Sequence, residues 1–283
     1  YYSDCTPSWR EEKIGFFGGA GRTGIIDLKI FQAAYRNPTN KKFEKEFPVA
    51  PQTQTPAKDV LFALSKFNSA VEALRQASHR PYANIPLTYE DGFNTGGTLL
   101  PYLAAIKRCT QFLQLRAVAE LADGQNEKAL DDVKLMLYLN NSLRSSPFLI
   151  SRLVRFAIVA IDLQPIWEGL AEHKWSDEQL AALEAELSNV DFLDDYGFIM
   201  RGERAFAIKS FENLRRTREM ISYTDAGDVT NKLMFMPSAY FYQNELAFAQ
   251  LHQQWFLPLV DTNSHIISPA ALQRANNVVQ SDR

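Results

Sequence analysis

Asp194-Asp195-Tyr196 and Arg201-Gly202-Glu203-Arg204 set carboxylates and guanidinium groups along one otherwise apolar stretch. At helical spacing, Asp195, Arg201, Glu203 and Arg204 can converge as a ligand-binding or acid–base set. The same spacing also yields i,i+3 and i,i+4 ion pairs on a solvated face. Histidine chemistry has less to work with. The four histidines are scattered, none within four residues of another, so the paired-histidine zinc pattern has no place here. Glu245 and His252 share a helix face, which suits a metal or a proton relay but equally suits surface decoration. His79, His173 and His265 fall at expected helix ends or loops, where an imidazolium meets the helix C-terminus or solvent. No catalytic residue, metal-ligand set or cofactor is expected.

The glycine-rich run from Phe16 to Gly24 ends in Gly21-Arg22-Thr23-Gly24, the close of a phosphate-binding loop in cysteine phosphatases. That chemistry needs a thiolate six positions before the arginine. Phe16 stands there, after Gly15 rather than histidine. A Walker A loop needs glycine at 16 and lysine at 22, where the chain has Phe16 and Arg22. The run reads as a glycine turn. Arg215-Arg216-Thr217-Arg218 is a short basic run on an exposed helix face. Tyr240-Phe241-Tyr242 with Phe248, Trp255 and Phe256 can line a groove for a partner or fill a core.

The elements that position these residues are helices. Val60, Leu64, Phe67, Val71 and Leu74 form the apolar stripe of a helix over 59–78. Leu99, Tyr102, Leu103, Ile106, Cys109, Leu113, Val118 and Leu121 recur at helical spacing from a Thr98 N-cap to a stop at Asp123-Gly124. Asn126 opens the next helix, with Ala129, Val133, Met136, Leu137 and Leu139 inward. Ser146-Pro147 opens a third, from Phe148 to about Glu172, with Leu153, Phe156, Ala157, Ala160, Ile161 and Ile166 facing its core. Turns this short pack neighbouring helices antiparallel. Ser176-Asp177-Glu178-Gln179 is a capping box for a helix to Ser188. Further helices are expected over 191–223, with breaks at Gly197 and Gly202, over 240–257 up to Pro258, and after Ser268-Pro269. A short helix over 26–35 precedes them all. Strand signals are nearly absent, so the fold class is all-α with eight or nine helices. Residues 1–57 form an irregular N-terminal segment and 58–283 the helical domain. The long connection 80–97 reads as an Ω-type loop or a functional one.

Leu113-x3-Ala117-x6-Gly124-x4-Ala129-x3-Val133 resembles the tetratricopeptide pattern, with small residues where paired helices cross and glycine in the turn. The match covers about one repeat and departs from the pattern at Glu120 and Asn141, where an aromatic and a proline are usual. The hairpin of 148–172 with 177–187 does not repeat it at a period of roughly 34 residues. The resemblance implies antiparallel helical hairpins, a partial α-solenoid, of the kind that presents surfaces to other proteins. The block from Arg80-Pro81-Tyr82 through Tyr89-Glu90-Asp91-Gly92 to Arg152-Leu153-Val154 is similar to mostly helical proteins of planctomycete- and verrucomicrobia-type bacteria. Such proteins commonly begin with a membrane anchor. That likeness implies an anchor or signal before Tyr1 and a place in the cell envelope, and it implies no activity.

At 283 residues, 46% apolar and 22% charged, the chain has ample material for a core. A net charge of −3 gives no basic footprint for nucleic acid. No apolar run reaches the ~20 residues of a membrane span; the longest, 148–161, is interrupted by Arg152 and Arg155. Cys5 and Cys109 can pair, but Cys109 on an apolar helix face reads better as a small buried residue. The expected function is a non-catalytic protein–protein interaction or scaffold subunit with a protein partner or a homo-oligomer. The alternative is a helical enzyme or small-molecule binder centred on Asp195, Arg201, Glu203 and Arg204.

Overall fold

The computed structural model describes residues 25–37, 39, 47–80, 83, 100–218 and 235–281. The glycine-rich run, the 80–97 connection except its first residue and Ala83, Thr98 and Cys5 lie outside them. The fold is all-α. Its one described sheet is a ladder of two-residue strands, Val260–Asp261 against Ile266–Ile267. Two compact units emerge, each with its own interior.

The first unit takes in the described residues up to 83, then 101–143 and 153–190. Helix α1 (Leu28–Tyr35) starts at Asp27, whose carboxylate accepts from the Lys29 and Ile30 N–H groups. Helix α2 (Pro56–Leu64) has Thr55 as N-cap and proline in its first turn, where the missing N–H costs nothing. The single helix expected over 59–78 is instead α2 and α3 (Asn68–Ser78), joined by a 3-10 turn at Ser65–Phe67. Ser65 is the cause at hand: its hydroxyl bonds back to the Phe62 carbonyl, which tightens the chain to three-residue spacing. Arg36 and Gln32 of the α1 region hold the Asp59 carboxylate of α2. Burial pushes that carboxyl up, and the two partners more than offset it, so it sits below its ordinary range.

Helix α4 (Pro101–Ala122) ends at Gly124, whose φ of +78° is the left-handed position glycine takes without strain. The Gln125 N–H reaches back to the Glu120 carbonyl at 2.8 Å, closing the turn. Helix α5 (Asn126–Ser142) follows at once, so the two are antiparallel. Asn126 does not cap it as expected. Its amide donates to the Lys174 carbonyl, and Gln125 holds the N-cap position, its side chain bonded to Asp123 and Lys128 rather than to the backbone of the first turn. Helix α6 (Leu149–Ala171) and helix α7 (Asp177–Ser188) form the next hairpin, with the Ser176–Gln179 capping box in place. Ala117 and Leu121 of α4, Ala129, Val133 and Leu137 of α5, Ile166 of α6 and Leu183 of α7 make one cluster around Trp175. The Trp175 indole donates to the Ile166 carbonyl at 3.0 Å, and it lies so close to Gly169 that a Cβ there would be 2.2 Å from Nε1.

The second unit contains residues 144–152, 191–218 and 235–281. Helix α8 (Tyr196–Thr217) runs unbroken through Gly197 and Gly202. Gly202 is a contact requirement, since a Cβ would meet the Pro147 carbonyl oxygen at 2.4 Å. Helix α9 (Ser238–Leu251) widens into a π turn at His252–Phe256 and a 3-10 turn at Leu257–Leu259, and α10 (Pro269–Ser281) follows the two-strand ladder. Arg215 and Arg218 stack on the Tyr242 and Phe241 rings at 4.7 and 4.4 Å, so the basic and aromatic runs of the sequence pack on each other.

Candidate functional site

The four residues singled out for ligand chemistry all lie in the second unit, where Asp195, Glu203 and Arg204 each bond to different groups. Asp195 receives the Arg144 guanidinium at 3.1 Å and the Arg152 guanidinium at 3.3 Å, and Arg144 also pairs with Asp194. Glu203 accepts the Leu149 backbone N–H at 2.6 Å, serving the first turn of α6. Arg204 donates to the Gln253 side chain at 2.8 Å, and Arg201 is exposed. Thus Asp195 belongs to an ion-pair chain with Arg144, Arg152 and Asp194, while Glu203 acts as a helix cap. Arg152 also lies 5.5 Å from the centre of the Phe192 ring.

The histidines follow the same local logic. His252 is buried between Phe248 and Phe256, at ring distances of 4.5 and 5.0 Å. It bonds to the Met200 backbone rather than to Glu245, and burial holds its pKa below the ordinary imidazole value. His79 caps α3, His173 follows α6 in the left-handed conformation, and exposed His265 meets Asp191 at 2.7 Å. Among the described residues, no three His, Cys, Asp or Glu side chains gather as a metal site.

Buried charge concentrates in the first unit. Asp132 of α5 is fully buried, 3.0 Å from Arg75 of α3 and 3.3 Å from Arg116 of α4. Arg116 also bonds to buried Glu120 at 3.1 Å. Burial, with Glu120 nearby, pushes the Asp132 pKa up to about 8, and burial raises Glu120 as well. Glu120, where the sequence departs from its tetratricopeptide resemblance, is a member of this ion-pair group. The arrangement clamps three helices.

The unexpected surface is on α6. Its inward arc carries Arg155, Ile158, Asp162 and Ile166, all buried. Arg155 Nε donates to Asn140 at 3.2 Å, and the Asn140 amide donates to the Arg155 carbonyl at 2.8 Å. Both Asp162 oxygens are buried without a hydrogen-bond partner, and desolvation raises that carboxyl well above its ordinary value. Gln164, on one flank, bridges Gln114 and the Ile26 backbone. The opposite arc holds Leu153, Phe156, Leu163, Trp167 and Leu170, each 45 to 53% exposed, with exposed Ala160 among them. The expectation that Leu153, Phe156 and Ala160 face the core is therefore corrected, while Ile161 and Ile166 are buried as expected. The helix is apolar nearly all round, so apolar spacing alone fits two faces. The polar residues decided the matter: Arg155 finds Asn140 on the inward side.

At its end the exposed arc runs into a groove of about 460 Å³, where Leu170 joins Leu180, Leu183 and Leu187 of α7. No helix among the described residues is long and apolar enough to cross a membrane. In comparison with known proteins, no family model, curated protein or solved structure matches the chain.

Proposed function

We propose that the chain is a protein–protein interaction or scaffold subunit whose docking face is the outward arc of α6 with the adjoining α7 groove. One observation carries the reading: five large apolar side chains about half exposed on a single helix face. Scattered apolar residues are ordinary on a surface, but a contiguous patch marks an interaction site. The α4–α5 hairpin, with its tetratricopeptide-like small residues Ala117 and Ala129 at the helix crossing, supports the same class of function. The partner face this surface suits is a helix laying apolar anchors along the arc. The ion-paired surroundings of Asp195 and the capping contact of Glu203 give the small-molecule alternative no comparable support.

Site-specific photo-crosslinking in cells making the full chain tests this. A photoreactive residue at Leu163 should give a discrete protein adduct that Trp167→Glu abolishes, and one at exposed Lys209 should give none. Adducts of equal yield from both positions, or none from any position along the arc, would remove the reading.

A further inference from the structure

We infer that the occupant of the α6 face is a second copy of this chain, its α6 lying antiparallel to the first across a two-fold axis; this rests on the interaction reading above. The exposed positions 153, 156, 160, 163, 167 and 170 are spaced alternately by three and four residues. That is the a/d seam of a two-helix coiled coil, sustained over five turns of one helix.

The order of sizes along the seam selects the partner. It reads Leu153, Phe156, Ala160, Leu163, Trp167, Leu170. Turned about a point between Ile161 and Asp162, the series maps onto itself. Leu153 then opposes Leu170 of the second copy, Phe156 opposes Trp167, and Ala160 opposes Leu163. Every a position meets a d position, which is the layer pattern of antiparallel pairing. The aromatic layers match each other, and at the centre the small Ala160 makes room for Leu163. A parallel arrangement would instead stack Ala160 on Ala160 and leave a thin layer between two large ones, a cavity with its usual cost. A two-fold pairing also needs a surface that is its own complement, as this one is.

Charge agrees. The residues flanking the seam are Arg152, Ala157, Val159, Gln164, Ile166 and Ala171; the single charge, Arg152, is paired with Asp195 and lies level with Ala171 of the second copy, so apposing two copies sets no like charges together. Burying the half-exposed seam on both copies removes on the order of 1,000 Å² from water, the lower end of what a specific interface needs. The groove beside Leu170 extends the same apolar surface at each end of the pair.

Cysteine pairing reads the register directly, in the full chain with Cys5→Ser. Antiparallel helices bring Leu153→Cys of one copy against Leu170→Cys of the other. Two Leu153→Cys copies stay apart by the full seam, about 25 Å at 1.5 Å per residue. A mixture of the two single variants should therefore oxidise to a cross-linked dimer, and either variant alone should not. Sedimentation of the unmodified chain should give twice the monomer mass, and Leu163→Lys should return it to the monomer with unchanged far-ultraviolet circular dichroism. Ready cross-linking of Leu153→Cys with itself, and none in the mixture, overturns the inference. So does a monomer at every concentration. A monomer whose Leu163 still cross-links a different protein ends the self-pairing and leaves the interaction reading standing. A monomer that nothing cross-links, or whose Trp167 fluorescence shifts only on phosphatidylcholine vesicles, ends both.

Discussion

Asp162 is a carboxyl group placed where its charge cannot be solvated. Its folded-state pKa is raised by burial alone, with no hydrogen-bond partner for either oxygen. A carboxyl whose folded value exceeds its unfolded value, about 3.9, binds its proton more tightly in the fold. Its contribution to stability is complete below the unfolded value and is lost as pH rises through the folded one. Asp132, with a folded value of about 8, acts in the same direction. Asp162→Asn removes one of these titrations and keeps the volume. The variant should match the parent near pH 4 and gain on it steadily toward pH 8, read as urea midpoints across a pH series. Parallel curves would show that Asp162 carries no titration of its own. This residue was not legible in advance, because an aspartate inside an apolar run gives no sign of which way it faces. Glu120 was half legible: its misfit to the tetratricopeptide pattern marked the position, but its partner Arg116 and the nearby Asp132 appear only when α4 and α5 pack.

At the scale of elements, stops and starts were legible because they rest on local chemistry. Gly124, the Ser176–Gln179 box and Pro269 act within one turn of chain, and each is where the sequence placed it. The facing of α6 was not legible, because it depends on Asn140 of α5, Gln114 of α4 and Trp175 beyond the next turn. Two substitutions test those ties. Gly169→Ala drives a methyl into the Trp175 ring and should cost about 1–3 kcal/mol by overpacking, lowering the thermal midpoint with quenched or shifted tryptophan emission. Unaltered stability would mean the indole is free to move aside. Asn140→Ala removes two bonds across the α5–α6 contact, one of them to a buried guanidinium. The expected loss is about 2–3 kcal/mol in chemical denaturation. Gly197 and Gly202 carry the reverse lesson. Read as helix breaks, they lie inside an intact α8, where Gly202 is needed for the closeness of Pro147.

For the molecule as a whole, pairing through α6 makes folding and association one equilibrium. Whatever binds only the folded state adds to its stability by mass action, so a homodimer's thermal midpoint rises with its own concentration. The parent chain should show that rise, and Leu163→Lys should not, its midpoint staying flat across the same dilution series. The seam is uncharged and the one charge beside it, Arg152, is already paired with Asp195, so the rise should persist when salt is added, since screening weakens charge pairs and leaves apolar burial intact. Sulfate should strengthen it, because excluded salts favour burial, and cooling should weaken it. An association governed by the Arg144, Asp194 and Asp195 ion pairs, all partly exposed, would behave in the opposite way and fade with salt. Differential scanning calorimetry at several protein and salt concentrations therefore separates the two surfaces. A midpoint that ignores concentration removes α6 pairing; one that rises with concentration only at low salt moves the interface to the charged cluster of the second unit.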